Sequence, residues 1–257
     1  MRIGKQHDPH TAISTADAAS ITVRGLDLCS EVIGHLDFTS YFWLLVTGDR
    51  PDAAQRAMTD AVLTALAEHG LVPSVAAARM TYAAGPEALQ GAVAAGLLGC
   101  GSVILGSAEL AGQFLTDCLA EAADGDLAAA ARSQIARLRA ERRAIPGFGH
   151  PQHSGGDPRA GRLIALGRAH GVAGRHVAML EAVRDALPEA IGRALPINVN
   201  GAIPAVMLDA GFPLAAMKGV ALLARTAGLI GHLTEEASRP IGFVMAGAAA
   251  DSISFDG

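Results

Sequence analysis

An abrupt break between two helical segments, at residues 144–159, constrains the fold of this chain more than any other feature. Residues 128–143 are rich in Arg and predict a helix. That helix is followed by two prolines and two glycines: Pro146, Gly147, Gly149 and Pro151. Proline removes a backbone donor and glycine adopts conformations that other residues avoid, so the helix must end here. Asp157 is the predicted N-cap of the next helix and Pro158 its predicted first residue.

Three side chains suited to ligand binding lie inside this break: His150, His153 and Arg159. A rigid turn that carries two histidines and an arginine is poorly suited to a protein core. Arginine and protonated histidine form strong hydrogen bonds with carboxylate or phosphate groups. The break is therefore predicted to bind an anionic ligand.

Apolar residues recur at helical spacing through most of the remaining chain. The predicted helical segments are 28–46 (divided near Gly34), 53–68, 75–84, 87–99, 106–122, 128–143, 159–170, 174–187, 189–195, 202–210 and 213–237. A short extended segment is predicted at 20–27. No alternation of strands and helices suggests a parallel sheet. The sequence thus predicts an all-α protein.

Composition narrows the classes of partner. The net charge is −5, whereas a nucleic-acid binder carries an excess of basic residues. An anionic ligand must therefore be held by local Arg and His groups. The three cysteines lack metal-ligand spacing and are predicted to be buried apolar residues in a reducing compartment: Cys29, Cys100 and Cys118. The first residues show no apolar run typical of a signal peptide, so we expect a cytoplasmic protein. The uncharged run at 88–108 contains five glycines, which favours a buried helix interrupted near 99–101 over a membrane span.

Other polar groups lie near helix ends and turns: Glu68 with His69; Asn198 with Asn200; and His232 with Glu235, Glu236 and Arg239. Each group has a structural interpretation. His69 would interact with the dipole of the preceding helix, and the asparagines would form a turn. His232 would be a hydrogen-bonded core residue, and the two glutamates would form a solvated face.

Three kinds of chemistry lack support in the sequence. His150 and His153 have no carboxylate or cysteine at ligand spacing, so no metal is expected. The glycine-rich segment near residue 100 lacks the Lys-Ser/Thr of a phosphate loop. Cys100 is the only, weak, candidate nucleophile.

Several motifs, in order, resemble the citrate synthase superfamily, and specifically its short citryl-CoA lyase branch, which also forms the C-terminal module of ATP-citrate lyase. The likeness extends from about Ile21 to Gly242. The segment VRGLDLCSEVIGHLDFTSYFWLLVTGDRP resembles the family's N-terminal segment and helix end, and AEHG resembles its ADHG turn. GFGHPQHSGGDPR resembles the GxGH…DPR signature, the most specific match. LPINVNG resembles an NVDG segment, and GLIGHLTEE…RP resembles the C-terminal helix.

The resemblance implies a large helical domain, a smaller helical domain that closes over substrate, and a homodimer or higher homo-oligomer. We expect residues 1–20 to form an N-terminal arm. The large domain is expected to comprise 21–75, part of 76–122 and 196–257, and the small domain roughly 123–195.

The resemblance also implies a reaction, the cleavage of a 3-hydroxyacyl-CoA such as citryl-CoA into acetyl-CoA and a 2-oxo acid. Coenzyme A is then the thioester carrier, and the other partner is a small carboxylic acid. His150 would act on the hydroxyl or oxo oxygen. The resemblance places five further residues at the site: His69 and Arg159 on substrate carboxylates, with Arg239, His153 and His232 as additional substrate contacts. The backbone of Pro146, Gly147, Phe148 and Gly149 would line the path of CoA.

Two positions depart from the family's pattern. Asn200 occupies the place of the acid/base aspartate, and an amide cannot exchange a proton as a general base. Ile104 stands where citrate synthases carry a histidine, which favours the lyase branch. Two hypotheses follow: an active lyase in which another group supplies the proton, or a non-catalytic relative that binds CoA or a tricarboxylate.

Overall fold

The computed structural model, which describes residues 9–101, 105–122, 125–149 and 156–257, is mostly helical. This confirms the all-α prediction. A small antiparallel sheet lies near the start of the described chain, with its strands in sequence order: β1 (Ser14–Ala16), β2 (Ile21–Val23) and β3 (Leu26–Asp27). The predicted extended segment at 20–27 is thus a hairpin, turned at Arg24 and Gly25, which both have positive φ.

The helices follow the sheet in a continuous series. They are a π-helical turn (Leu28–Val32), α1 (Phe38–Thr47), α2 (Ala53–Ala67), α3 (Pro73–Ala84), α4 (Leu89–Leu98), α5 (Ser107–Glu121), α6 (Leu127–Ala140), α7 (Pro158–Ala169), α8 (Arg175–Ile191), α9 (Val199–Asp209), a 3₁₀ turn (Leu214–Ala216), α10 (Met217–Ser238) and α11 (Gly242–Ser252).

Side-chain caps explain where several helices begin. Asp52 and Gln55 form a capping box at α2, in which each side chain accepts a hydrogen bond from the other residue's backbone N–H. Asp157 caps α7 and Pro158 is its first residue, as predicted. Asn198 caps α9 through the backbone N–H of Gly201.

One predicted division between helices is wrong. The segments at 174–187 and 189–195 form one helix, α8, which continues through Pro188 and ends before Gly192. Buried side chains such as Val183 and Leu187 hold this helix in the core, and their packing outweighs the hydrogen bond that proline removes. After a short break at residues 239–241 the chain forms a further helix, α11, which lies beyond the predicted segments.

The buried side chains form two clusters. The larger combines residues from α1, α2, α5 to α9 and the first half of α10, and α9 is buried along most of its length. The smaller joins α3, α4 and α10: Val75, Ala78, Ala92, Leu229 and Leu233. Glycine permits this close approach, because a Cβ on Gly96 would lie 2.8 Å from the carbonyl oxygen of Ser74.

The cysteines differ from the prediction in one case. Cys100 and Cys118 are buried, but Cys29 is exposed in the π-helical turn, so its prediction as a buried residue is wrong. Burial raises the pKa of the Cys118 thiol to about 12 and also raises that of Cys100. A neutral thiol is a poor nucleophile, which argues against nucleophilic catalysis by Cys100.

Two apolar segments bear on the question of a membrane span. In the run at 88–108, α4 ends at Gly99 as predicted, but it buries only one face, since Leu98 is 88% exposed. The segment Leu214–Ser238 is long and apolar enough to cross a membrane by length and composition. However, α10 carries a buried carboxylate, Glu236, which is paired with Arg79 on α3, and His232, which contacts Glu68 at the end of α2.

Candidate functional site

The turn before α7 packs directly on the first turn of α9. Gly147 has a φ of +89°, and its Cα lies so close to Gly201 that a Cβ on Gly201 would be 2.6 Å from the Gly147 carbonyl oxygen. Only glycine allows two backbones to approach this closely. The two unusual turns in the sequence, PGFG and LPINVNG, therefore form one structure.

Backbone and side-chain hydrogen bonds hold these two turns in register. Gly149 donates its N–H to Pro196 at 2.8 Å, and Asn198 donates its N–H to Gly147 at 3.0 Å. The Asn198 side chain donates Nδ2–H to the Gly149 carbonyl at 2.7 Å, while its Oδ1 accepts from Gly201. Asn198 is thus a structural turn residue, as its structural interpretation predicted. Asn200, half-buried, lies in the first turn of α9.

A buried carboxylate ties Arg159 to the same region. Asp157 accepts hydrogen bonds from Arg159 Nε at 3.0 Å and Nη2 at 2.9 Å, and its Oδ2 also accepts from the Val199 N–H at 3.1 Å. Burial alone would raise the pKa of Asp157, but the hydrogen bonds and charge of Arg159 and the Val199 N–H hold it below its ordinary value. Arg159 is therefore held by a two-point contact with a carboxylate that itself caps α7 and contacts α9.

We predict that Asp157→Asn destabilises the fold by about 3 kcal/mol at pH 7, because it removes one partner of a buried pair. The pKa of Asp157 is depressed in the folded state, so its contribution is present above the unfolded pKa of about 4 and is lost as the pH falls through the folded value. Urea unfolding from pH 7 down to pH 2 should therefore show the gap between wild type and variant closing below pH 4. A gap that is independent of pH would contradict this prediction.

A buried arginine that was not among the predicted site residues lies on α10. Arg225 is only 3% exposed, and its Nε and Nη1 have no hydrogen-bond partner in the described structure. Burial lowers the pKa of its guanidinium, while the nearby negative charge of Glu68 raises it. Arg159 is close enough to add a repulsive charge. A buried guanidinium with unused donors is poised to accept an anion.

The end of α2 lies against the same face of α10. A Cβ on Gly228 would collide with the carbonyl oxygen of Ala67, so glycine is what allows this contact. Glu68 Oε1 then accepts hydrogen bonds from the N–H groups of His69 (2.8 Å) and Gly70 (2.5 Å). His69, half-buried, is thereby placed beside the helix that carries Arg225.

His232 lies one helical turn beyond Gly228, between α2 and α3. Its Nε2 is 2.9 Å from Glu68 Oε2, although the ring N–H is not aligned for a hydrogen bond. Its Nδ1 is 3.3 Å from Arg79 Nη1. Burial alone would raise the pKa of Glu68, but His232 and the N–H groups of Gly70 and His69 hold it below its ordinary value. This position agrees with the interpretation of His232 as a bonded core histidine, and whether it contacts substrate stays a prediction.

Arg79 connects this region to the end of α10. Its Nε donates to Glu236 at 2.5 Å, its Nη1 to Glu235 at 2.9 Å and its Nη2 to the carbonyl of Arg239 at 3.1 Å. Glu236 is buried, so its prediction as part of a solvated face is wrong, whereas Glu235 is exposed as expected. The backbone carbonyl of Arg239 is bound to Arg79, and the residue itself is exposed.

Comparison with known proteins identifies the family. The sequence matches the profile described as "Citrate synthase, C-terminal domain" over residues 10–241. This chain belongs to the citrate synthase family. A comparison with curated proteins finds no match.

Solved structures of this family share the fold. Citryl-CoA lyase from Hydrogenobacter thermophilus is 28% identical, with a TM-score of 0.86 over 100% of this chain and 95% of that one. ATP citrate lyase from Methanothrix soehngenii, in complex with citrate and coenzyme A, is 21% identical, with a TM-score of 0.74 over 92% of this chain and 40% of that one. Citrate synthase from Thermotoga maritima is 21% identical, with a TM-score of 0.65 over 79% of this chain and 55% of that one. The second and third of these show the fold alone.

Several predicted site residues lie outside the described residues. These are His150, His153 and Ile104. In the part that is described, no group of three or more His, Cys, Asp or Glu side chains is arranged to hold a metal ion.

A cavity of 530 Å³ lies beside the PGFG turn. Phe148 and Gly149, two of the four residues predicted to line the path of CoA, form part of its wall. Three arginines that sequence reasoning missed also line it: Arg139, Arg143 and Arg193. The cluster of arginines at the end of α6 was visible in the sequence, but Arg193 approaches only through the fold.

Proposed function

We propose that this protein is a citryl-CoA lyase-like enzyme, which cleaves a 3-hydroxyacyl-CoA such as citryl-CoA into acetyl-CoA and oxaloacetate. The observation that carries the proposal is the buried guanidinium of Arg225, which has unused donors beside Arg159 and the turn at 67–70. A buried, unpaired cation is costly, and a substrate carboxylate would provide its missing partner. The likeness to the Hydrogenobacter thermophilus citryl-CoA lyase over the full chain supports the same reaction.

The site is suited to a polycarboxylate. Arg225, through its unpaired Nε and Nη1, and Arg159, through the donors that Asp157 leaves free, would each contact a carboxylate, with His69 as a further contact. Arg159 adds a repulsive charge at Arg225, and a substrate carboxylate would offset it. The Methanothrix soehngenii relative, which shares the fold, was solved with citrate and coenzyme A bound.

The arginine-lined cavity supports CoA as the carrier. Arg139, Arg143 and Arg193 would face phosphate groups, while apolar residues such as Ile145 and Leu195 would pack on the rest of the cofactor. A relative from Methanosaeta concilii was solved with (3S)-citryl-CoA. In this chain the cavity adjoins the PGFG turn, so a thioester would be led toward the region of Asn200.

In the proposed reaction, His150 removes the proton of the tertiary hydroxyl group. The C–C bond then breaks, its electron pair passes to the thioester enolate, and oxaloacetate leaves. The enolate carbon takes up a proton to give acetyl-CoA. Asn200 would donate a hydrogen bond but no proton, so the final proton must come from another group or from water.

The second candidate function is binding of CoA or a tricarboxylate without turnover. The observation that favours it is Asn200 in the place where the family carries an acid/base aspartate. Both candidates use the same carboxylate site, so binding alone does not separate them.

We predict that Asn200→Asp raises the rate of citryl-CoA cleavage by about a hundredfold or more, because it restores a positioned proton carrier. Release of acetyl-CoA and oxaloacetate from citryl-CoA measures this. Asn198→Asp is the matched control, since it makes the same change in the same turn but removes the donor to Gly149, and it should give no gain. If wild type and Asn200→Asp both bind citrate and neither cleaves citryl-CoA, the enzyme proposal is contradicted and the binding function is favoured.

A further inference from the structure

A carboxylate and an unpaired guanidinium lie close together at this site without pairing. The negative charge of Glu68 acts on Arg225. Glu68 Oε2 lies 3.3 Å from where a Cβ on Gly228 would be, and Gly228 is one turn along α10 from Arg225. Yet Arg225 keeps two nitrogens without partners. Their opposite charges attract, and no ion pair joins them in the described structure, so other contacts must determine where Glu68 lies.

The contacts of Glu68 explain this. Its Oε1 is held by the N–H groups of His69 and Gly70, and its Oε2 faces His232 Nε2 at 2.9 Å. Both carboxylate oxygens therefore have contacts of their own, and no ion pair between Glu68 and Arg225 occurs among the described residues.

The contact with Arg79 determines which ring nitrogen of His232 carries the proton, and this makes the contact between His232 and Glu68 attractive. Arginine has only donors, so the 3.3 Å contact from Arg79 Nη1 requires an unprotonated Nδ1 on His232. The ring proton then lies on Nε2, 2.9 Å from Glu68 Oε2, where its positive partial charge attracts the carboxylate although the N–H is not aligned for a hydrogen bond. Arg79 itself is fixed by Glu236, Glu235 and the Arg239 carbonyl, so the whole arrangement is anchored in the buried end of α10.

We propose that Arg79 and His232 are positioning residues that hold Glu68 off Arg225 and so keep Arg225 open to a substrate carboxylate. Without His232, Glu68 Oε2 would turn to Arg225 and occupy the site from within. This inference rests on the proposed function for the identity of the substrate, but the position of Glu68 is independent of any ligand.

His232→Phe tests the inference with little change in volume. Arg79 keeps three other acceptors, so the fold should persist, which urea unfolding checks. Citrate binding, measured by titration calorimetry, is expected to weaken about tenfold, because one charged hydrogen-bond site on Arg225 is taken by Glu68.

The double variant His232→Phe/Glu68→Gln separates positioning from packing. A neutral amide competes far less for Arg225, so citrate affinity should return to within about threefold of wild type, although two changes have been made. Glu235→Gln is the control, since it removes the charge of another partner of Arg79 Nη1 without touching Glu68, and it should leave affinity unchanged. A double variant as weak as the single variant would overturn the inference.

A crystal structure of His232→Phe gives a test without ligand. Glu68 Oε2 within ion-pair distance of the Arg225 guanidinium is the expected result, and an unmoved Glu68 would overturn the inference. If wild type binds no citrate and Glu68 still turns to Arg225 in the variant, the proposed substrate is wrong while the positioning role stands.

Discussion

Arg225→Met is expected to lower kcat/KM for citryl-CoA cleavage by about a hundredfold to a thousandfold, since removing one partner of a buried charged hydrogen bond costs 2–5 kcal/mol or more. The same variant should be more stable than wild type by about 1–3 kcal/mol, because methionine replaces a buried cation that has unpaired nitrogens. Activity and stability therefore move in opposite directions. If Arg225 had only a structural role, its replacement would lower both activity and stability.

Two measurements check this prediction, the cleavage kinetics and the free energy of unfolding in urea. Lys218→Met is the matched control, because it makes a similar change on the same helix at a partly exposed position, and neither quantity should move much. Loss of stability in Arg225→Met would show that Arg225 has protein partners after all. Full activity would remove the main support for the proposed carboxylate site.

Features set by local chemistry were predictable from the sequence. The break at 144–159, the cap at Asp157 and the first residue Pro158 follow from the conformations that proline and glycine allow. The short motifs, taken in order, resemble those of the citrate synthase superfamily, and the match over residues 10–241 confirms this family. The division into domains, the oligomeric state and the cytoplasmic location stay predictions.

Features set by distant contacts were not predictable. Glu236 resembles an exposed residue at a helix end, yet it is buried by Arg79, which lies 157 positions earlier in the chain. Arg225 was missed because it lies inside a long apolar helix with no break to mark it. Its spacing to His232 and Glu236, at i+7 and i+11, places all three on one face of α10, and that pattern is the signal that was available.

The contact between α2 and α10 leads to the prediction with the largest effect on stability. Gly228→Ala should destabilise the protein by about 3 kcal/mol or more, because the new methyl group would collide with the Ala67 carbonyl and overpacking against backbone cannot relax cheaply. The sign is unusual, since alanine inside a helix is normally favoured over glycine by about 1 kcal/mol. Urea unfolding measures the difference.

The same helix supplies the controls. Gly219 and Gly231 have nothing within 4 Å of an added Cβ, so alanine at either position should raise stability by about 0.5–1 kcal/mol through helix propensity alone. If Gly228→Ala behaves as these two variants do, α2 does not end against α10 as described. If Gly228→Ala instead destabilises the protein and also weakens citrate binding, the close contact at Gly228 is what places Glu68 and His69 beside Arg225. A residue without a side chain then determines the geometry of the carboxylate site.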